Sequence, residues 1–107
     1  MNTTERTRTY QWSDPLEGAE KAKRMTGMEY LRAMNNNEIP LPPLLHTLGF
    51  GKPEIKESEV TFSFEPQEYH FNPIGSVHGG VITAILDSAM GCTLLSCLRV
   101  WATPNWN

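Results

Sequence analysis

The sequence predicts an α+β domain, and three observations carry that expectation. A nearly unbroken apolar segment, Val81 to Leu98, has the length of a helix. Glu59 to Glu65 alternates apolar and polar side chains, the period of a half-buried strand. Two helix-start signals stand in the N-terminal third, at Asp14-Pro15-Leu16-Glu17 and at Thr26-Gly27-Met28-Glu29. A chain of 107 residues makes one domain at most. It divides into an N-terminal arm with one short helix, residues 1–25, and a main domain, residues 26–107.

The elements follow in order. Residues 1–12 are polar and predict a loose segment. Asp14 caps a short helix that ends near Met25, with Pro15 at its first position. Thr26 opens a second helix carrying Met28, Tyr30, Leu31 and Met34, and Asn35-Asn36-Asn37 stops it. Three prolines between Ile39 and Pro43 exclude continuous helix there. Leu44 to Phe50 is apolar and closes on Gly49-Phe50-Gly51, with His46 as a partly buried structural residue. In the strand Glu59–Glu65, Val60, Phe62 and Phe64 share one face. Pro66 interrupts it, and a second short strand, Gln67–Phe71, should turn Tyr69 and Phe71 inward and Gln67, Glu68 and His70 outward. Asn72 precedes a proline and is therefore extended or turning.

The last helix should run from about Val77 to Arg99. Steps of three and four place Gly80, Thr83, Ala84, Asp87, Gly91 and Leu94 on one mostly small face. The other faces carry Val81, Ile82, Ile85, Leu86, Met90, Leu95 and Leu98. A helix apolar nearly all round should be buried nearly all round. Its length approaches that of a membrane span. Asp87 near its middle makes a bilayer a costly setting, so the expectation is a helix wrapped by protein, with no membrane span.

Composition narrows the classes. The net charge is -3, with 9 basic and 12 acidic side chains, which does not suggest a nucleic-acid partner. The acidic excess lies between Glu54 and Glu68. Cys92 and Cys97 stand five apart, match no zinc spacing, and read as reduced, buried thiols on different helix faces. No metal site is expected. The N-terminus has no apolar stretch of the secretory kind, and the expected location is cytoplasmic.

The most informative stretch is Asn72-Pro73-Ile74-Gly75-Ser76-Val77-His78-Gly79-Gly80, followed by a helix with one carboxylate, Asp87. A helix N-terminus offers unpaired N–H groups and the positive end of a dipole, suited to polarising a carbonyl or holding an anion. Gly79 and Gly80 permit close approach to that backbone. A lone carboxylate on an apolar helix is costly without a partner or a role. Each feature also has a plain structural explanation. Asn72 and His78 can form a turn and cap the helix, the glycines can be a tight entry, and Asp87 can be a satisfied structural carboxylate. Their joint spacing, with Asp87 nine residues after His78, favours a site.

This constellation resembles the hotdog-fold acyl-CoA thioesterases of the phenylacetic acid degradation type. The shared pattern is an Asn, a Gly, His-Gly-Gly, and an acidic residue nine positions after the His. The similarity extends over roughly Thr26 to Leu98, through Gly27-Met28-Glu29-Tyr30-Leu31 and Leu48-Gly49-Phe50. It implies a hotdog fold, in which an antiparallel sheet wraps a long central helix. It also implies hydrolysis of acyl-CoA to free acid and CoA, a homodimer or homotetramer, and no cofactor. Three or more long strands should follow the helix, yet Val100 to Asn107 shows no alternation. The chain therefore resembles a hotdog domain lacking most C-terminal strands. The position for a water-positioning Ser or Thr, eighteen after Asp87, is Asn105.

The chemistry assigns roles on that basis. Asp87 is the candidate base or nucleophile. Gly79 N–H is the oxyanion donor. Asn72 helps to bind the thioester carbonyl or water, and His78 orients that group. Gly80 and Val81 line the substrate path. The resemblance implies that Asp87 acts on substrate held partly by a second subunit. The alternative is a non-catalytic remnant or an acyl-binding or interaction module that keeps the motif and lacks the sheet.

Overall fold

The computed structural model describes residues 4–98. Within them the architecture is α+β. The elements are α1 (Pro15–Ala22), α2 (Gly27–Asn35), α3 (Pro43–Leu48), β1 (Glu54–Lys56), β2 (Glu59–Thr61), a 3₁₀ turn (Glu68–His70) and α4 (Gly79–Ser96). The expectations on Val100 to Asn107, Asn105 included, lie outside the described residues.

The helix starts follow their sequence signals. Asp14 accepts a hydrogen bond from Leu16 N–H at 2.9 Å, and Pro15 opens α1. At α2, Thr26 Oγ1 accepts from Glu29 N–H at 3.1 Å, and the Glu29 carboxylate accepts from Thr26 N–H at 2.8 Å. These bonds, the one from the Thr26 backbone foremost, hold the Glu29 carboxyl below its ordinary pKa of 4.5. Asn37 ends this region in the left-handed conformation, at φ 64°. Gly49 does the same for α3 at φ 75°, and its N–H donates to the Leu45 carbonyl.

The arm is more firmly attached than its polarity predicts. The Arg8 guanidinium donates to the His46 and Thr47 carbonyls at the end of α3. It also lies 4.2 Å from the Tyr69 ring centroid. Arg6 pairs with Glu68 at 2.7 Å.

The strands depart from expectation in two places. β1 and β2 form an antiparallel hairpin with Ile55 opposite Val60, but β2 ends at Thr61 rather than Glu65. The predicted side-chain alternation continues: Val60, Phe62 and Phe64 are half-buried, and Glu59, Thr61, Ser63 and Glu65 are exposed. A ladder needs a partner, and β1 offers only three residues. β1 itself had no sequence signal beyond Ile55.

The second expected strand, Gln67–Phe71, is absent, and its faces are reversed. His70 is buried, whereas Tyr69 and Phe71 are exposed. His70 Nδ1 accepts from Gln67 N–H at 2.9 Å, and its Nε2 pairs with the Leu48 carbonyl. The Phe64 ring meets its imidazole edge-on at 5.4 Å. A buried, fully hydrogen-bonded imidazole outweighs a two-residue alternation signal. Phe71 keeps only an isolated bridge to Val77.

α4 packs on α2 and β2. Leu45, Phe50 and Val81 form the core beneath its first turns, with Phe62, Phe64 and Ile85 against them. A second buried set, including Leu31, Met34 and Ile39, joins α2 to the following loop. The expectation of a helix buried on every side fails within one chain. Ile82, Leu86, Met90 and Leu94, four apart, are 45 to 67% exposed. Gly91 on the small face has no neighbour within 4 Å of where a Cβ would stand. The reason is that a hairpin of two three-residue strands and the short helices α2 and α3 cannot surround the 18 residues of α4. By length and composition α4 is long and apolar enough to cross a membrane.

Candidate functional site

The loop before α4 is built by Asn72. Its Oδ1 accepts from the N–H groups of Ile74 and Ser76, at 3.0 and 3.1 Å, and its Nδ2 donates to Ser76 Oγ at 2.8 Å. Asn72 N–H also donates to the Ser76 carbonyl, closing the turn through Gly75 at φ 82°. The Asn72 amide is thus largely committed to holding the loop, and one of its two Nδ2 hydrogens remains for a ligand.

That loop delivers His78 to the N-cap of α4. Its N–H donates to the His70 carbonyl at 2.8 Å. Its Nδ1 accepts from Gly80 N–H at 2.8 Å. Nδ1 is therefore the unprotonated nitrogen, and the neutral ring carries its proton on Nε2. His78 is exposed, so that donor faces solvent.

The three amides at the helix start are not equivalent. Gly80 N–H is taken by His78, and Val81 N–H donates to the His78 carbonyl at 3.0 Å. Val81 is also buried in the core. Gly79 N–H has no acceptor among the described residues, and nothing lies within 4 Å of its would-be Cβ. Among the described residues, Gly79 N–H is thus the one of these three donors left free at the positive end of an 18-residue helix.

Asp87 lies eight residues beyond Gly79, which places it about 12 Å along the axis. A single carbonyl carbon cannot touch both within one chain. Asp87 is exposed and is one of the residues that line a cleft of about 260 Å³ between α4, α2, α3 and Phe62. Its lining also includes buried Met34 and Leu45 and half-buried Tyr30, Phe62 and Cys92. Burial pushes both the Tyr30 hydroxyl and the Cys92 thiol up from their ordinary pKa values.

The sequence reading missed Tyr30, Phe62 and Cys92 as neighbours of Asp87. The available signal was weak: Tyr30 and Met34 are four apart on α2, which defines a face without naming what it meets. Both thiols are free, as expected, but Cys97 is exposed rather than buried. His46 is half-buried, away from this cleft. Among the described residues no His, Cys, Asp or Glu cluster could hold a metal ion. No protein family, characterised protein or solved structure compared with the chain matches it.

Proposed function

We propose that this chain belongs to a cytoplasmic, homo-oligomeric acyl-CoA thioesterase of hotdog fold, with Asp87 and Gly79 as its working groups. The observation that carries the reading is the unpartnered Gly79 N–H at the exposed start of α4, beside a His78 whose tautomer is fixed. The 12 Å offset between Gly79 and Asp87 then calls for two copies, one supplying the amide and the other the carboxylate.

In this reaction the thioester carbonyl oxygen accepts from Gly79 N–H, which stabilises negative charge as the tetrahedral centre forms. Asp87 takes a proton from water, whose oxygen attacks the carbonyl carbon. The C–S bond breaks, CoA leaves as thiolate and recovers a proton, and the acid is released. His78 Nε2–H donates toward the same carbonyl or the water.

The test is thiol release from a series of acyl-CoA esters. Asp87→Ala should lower turnover about 10²-fold or more. Gly79→Pro is the sharper variant. It deletes the donor at the first helical position, where proline is tolerated, and His78 at ψ 133° already suits a following proline. Loss of about 10²-fold in kcat with unchanged helicity supports the oxyanion role; full activity of either variant removes the mechanism.

A second reading is favoured by the exposed Ile82–Leu86–Met90–Leu94 stripe. A non-catalytic interaction module would use that stripe for a partner and show no turnover on any thioester.

A further inference from the structure

We propose that His70 is the positioning residue for the free amide at the start of α4: its buried imidazole fixes the backbone carbonyl that tethers His78, and so aims Gly79 N–H. The oxyanion use of that amide rests on the thioesterase reading; the tether itself does not.

His70 joins three elements. Its Nδ1 accepts from Gln67 N–H at 2.9 Å, and its Nε2 pairs with the Leu48 carbonyl. A carbonyl can only accept, so Nε2 carries the proton and Nδ1 carries none. The neutral Nε2–H tautomer alone satisfies both bonds. The Phe64 and Tyr69 rings meet this imidazole edge-on, with centroids 5.4 and 4.6 Å away. A buried ring packed and bonded on both sides has little room to turn. Holding the ring holds the His70 backbone, whose N–H donates to the Gln67 carbonyl at 2.9 Å. The His70 carbonyl accepts from His78 N–H at 2.8 Å. His78 occupies the N-cap at φ -63° and ψ 133°, and those angles set the direction of the next N–H, that of Gly79.

The anchor at the far end is the C-terminus of α3, whose last carbonyls lack intrahelical donors. Arg8 takes those of His46 and Thr47, and His70 takes that of Leu48. A phenylalanine would fill the place of the ring but leave Gln67 N–H and the Leu48 carbonyl without this partner. The two bonds, rather than the volume, are what the imidazole adds.

The measurement is amide hydrogen exchange by NMR on the full chain. His78 and Gly80 N–H report the tether, and Asn36 N–H, which donates to the Arg32 carbonyl on α2, is the control. In His70→Phe, exchange at His78 and Gly80 should rise about tenfold more than at Asn36, the scale of leaving a polar partner unpaired. His70→Gln, whose side-chain N–H can again reach the Leu48 carbonyl, should recover most of that protection. In the thiol-release assay His70→Phe should lower kcat about tenfold or more and leave KM unchanged.

Equal acceleration at all three amides makes His70 a core residue only and overturns the proposal, as does a glutamine variant no better than phenylalanine. Should His70→Phe not fold, the native chain still decides. Its ¹⁵N resonances should show a bare Nδ1 and a protonated Nε2 at His70, and a proton on Nδ1 overturns the proposal. Selective loss of protection at His78 and Gly80, with no thiol release by the native chain, leaves the tether standing and sinks the thioesterase. Thiol release with the same kcat in His70→Phe keeps the thioesterase and overturns the positioning role.

Discussion

Gly27, the first residue of α2, lies directly against the backbone carbonyl of Leu95 on α4. A Cβ at Gly27 would stand 1.7 Å from the Leu95 oxygen. Gly27 N–H meanwhile donates to the Leu98 carbonyl at 2.9 Å. The glycine therefore serves two ends at once: it starts α2 and lets that start receive the C-terminal end of α4.

Gly27→Ala should be destabilising although alanine is the better helix former. The obstruction is backbone, which cannot rotate away, so the cost should reach or exceed the 1–3 kcal/mol typical of overpacking. For a domain of this size that corresponds to a Tm lower by at least about 4 °C. Gly91→Ala makes the contrast. It meets open space in this chain and should stabilise by roughly 1 kcal/mol through helix propensity. Thermal melts of the two variants check both signs. If Gly91→Ala is destabilising instead, a second copy packs on the small face of α4.

The capping box predicts a pH dependence. Glu29 has a lowered pKa in the folded chain, through its hydrogen bonds with Thr26. Its contribution is therefore fully present above the unfolded value, near 4.5, and is lost as pH falls through the lower folded value. Glu29→Gln keeps the box without the charge. The stability gap between the native chain and this variant should be constant at neutral pH and close as the solution is acidified below the carboxylate range. Urea melts across that range measure it, and a gap independent of pH would contradict the assignment. Thr26→Ala removes the reciprocal bond and should cost about 1 kcal/mol.

The apolar stripe on α4 predicts self-association. Met90 and Leu94 are 67 and 64% exposed, and burying each would contribute about 1–2 kcal/mol per copy. Met90→Lys with Leu94→Lys should therefore weaken a symmetric dimer by about a thousandfold or more in Kd and leave the circular dichroism unchanged. Analytical ultracentrifugation decides the matter. A native chain that sediments as a monomer at every concentration would remove the two-copy site along with the stripe's role.

Arg8 predicts how the arm is held. It caps the carbonyls of His46 and Thr47 and rests over Tyr69. Arg8→Ala should free residues 4–12, so that limited trypsin digestion cuts at Arg6 several-fold faster. α2 and α4 should melt as before. An unchanged cleavage rate would mean that the Arg6–Glu68 pair holds the arm alone.

Local rules carried much of this fold. Asp14, Thr26 with Glu29, the Asn35–Asn37 stop and Gly49 are all governed by backbone groups within four residues, and each lies where its neighbours in sequence require; α4 starts at Gly79, two residues beyond the expected Val77, because His78 caps it. The inward row of Val60, Phe62 and Phe64 was equally legible, because strand geometry alternates whether or not a ladder forms. The loop Asn72–Ser76 was readable as a turn, but its closed hydrogen-bond circuit around Asn72 was not. Tertiary structure decided the rest. His70 turned inward because the Leu48 carbonyl, 22 residues away, completes its hydrogen bonds, and no local pattern encodes that partner. Apolarity alone predicted α4 to be covered, yet coverage depends on how many residues can reach it, and Ile82, Leu86, Met90 and Leu94 stay open. The meeting of Asp87 with Tyr30, Phe62 and Cys92 arises only when α2, the hairpin and α4 pack together, since a side chain's chemistry is written in sequence and its neighbours are not.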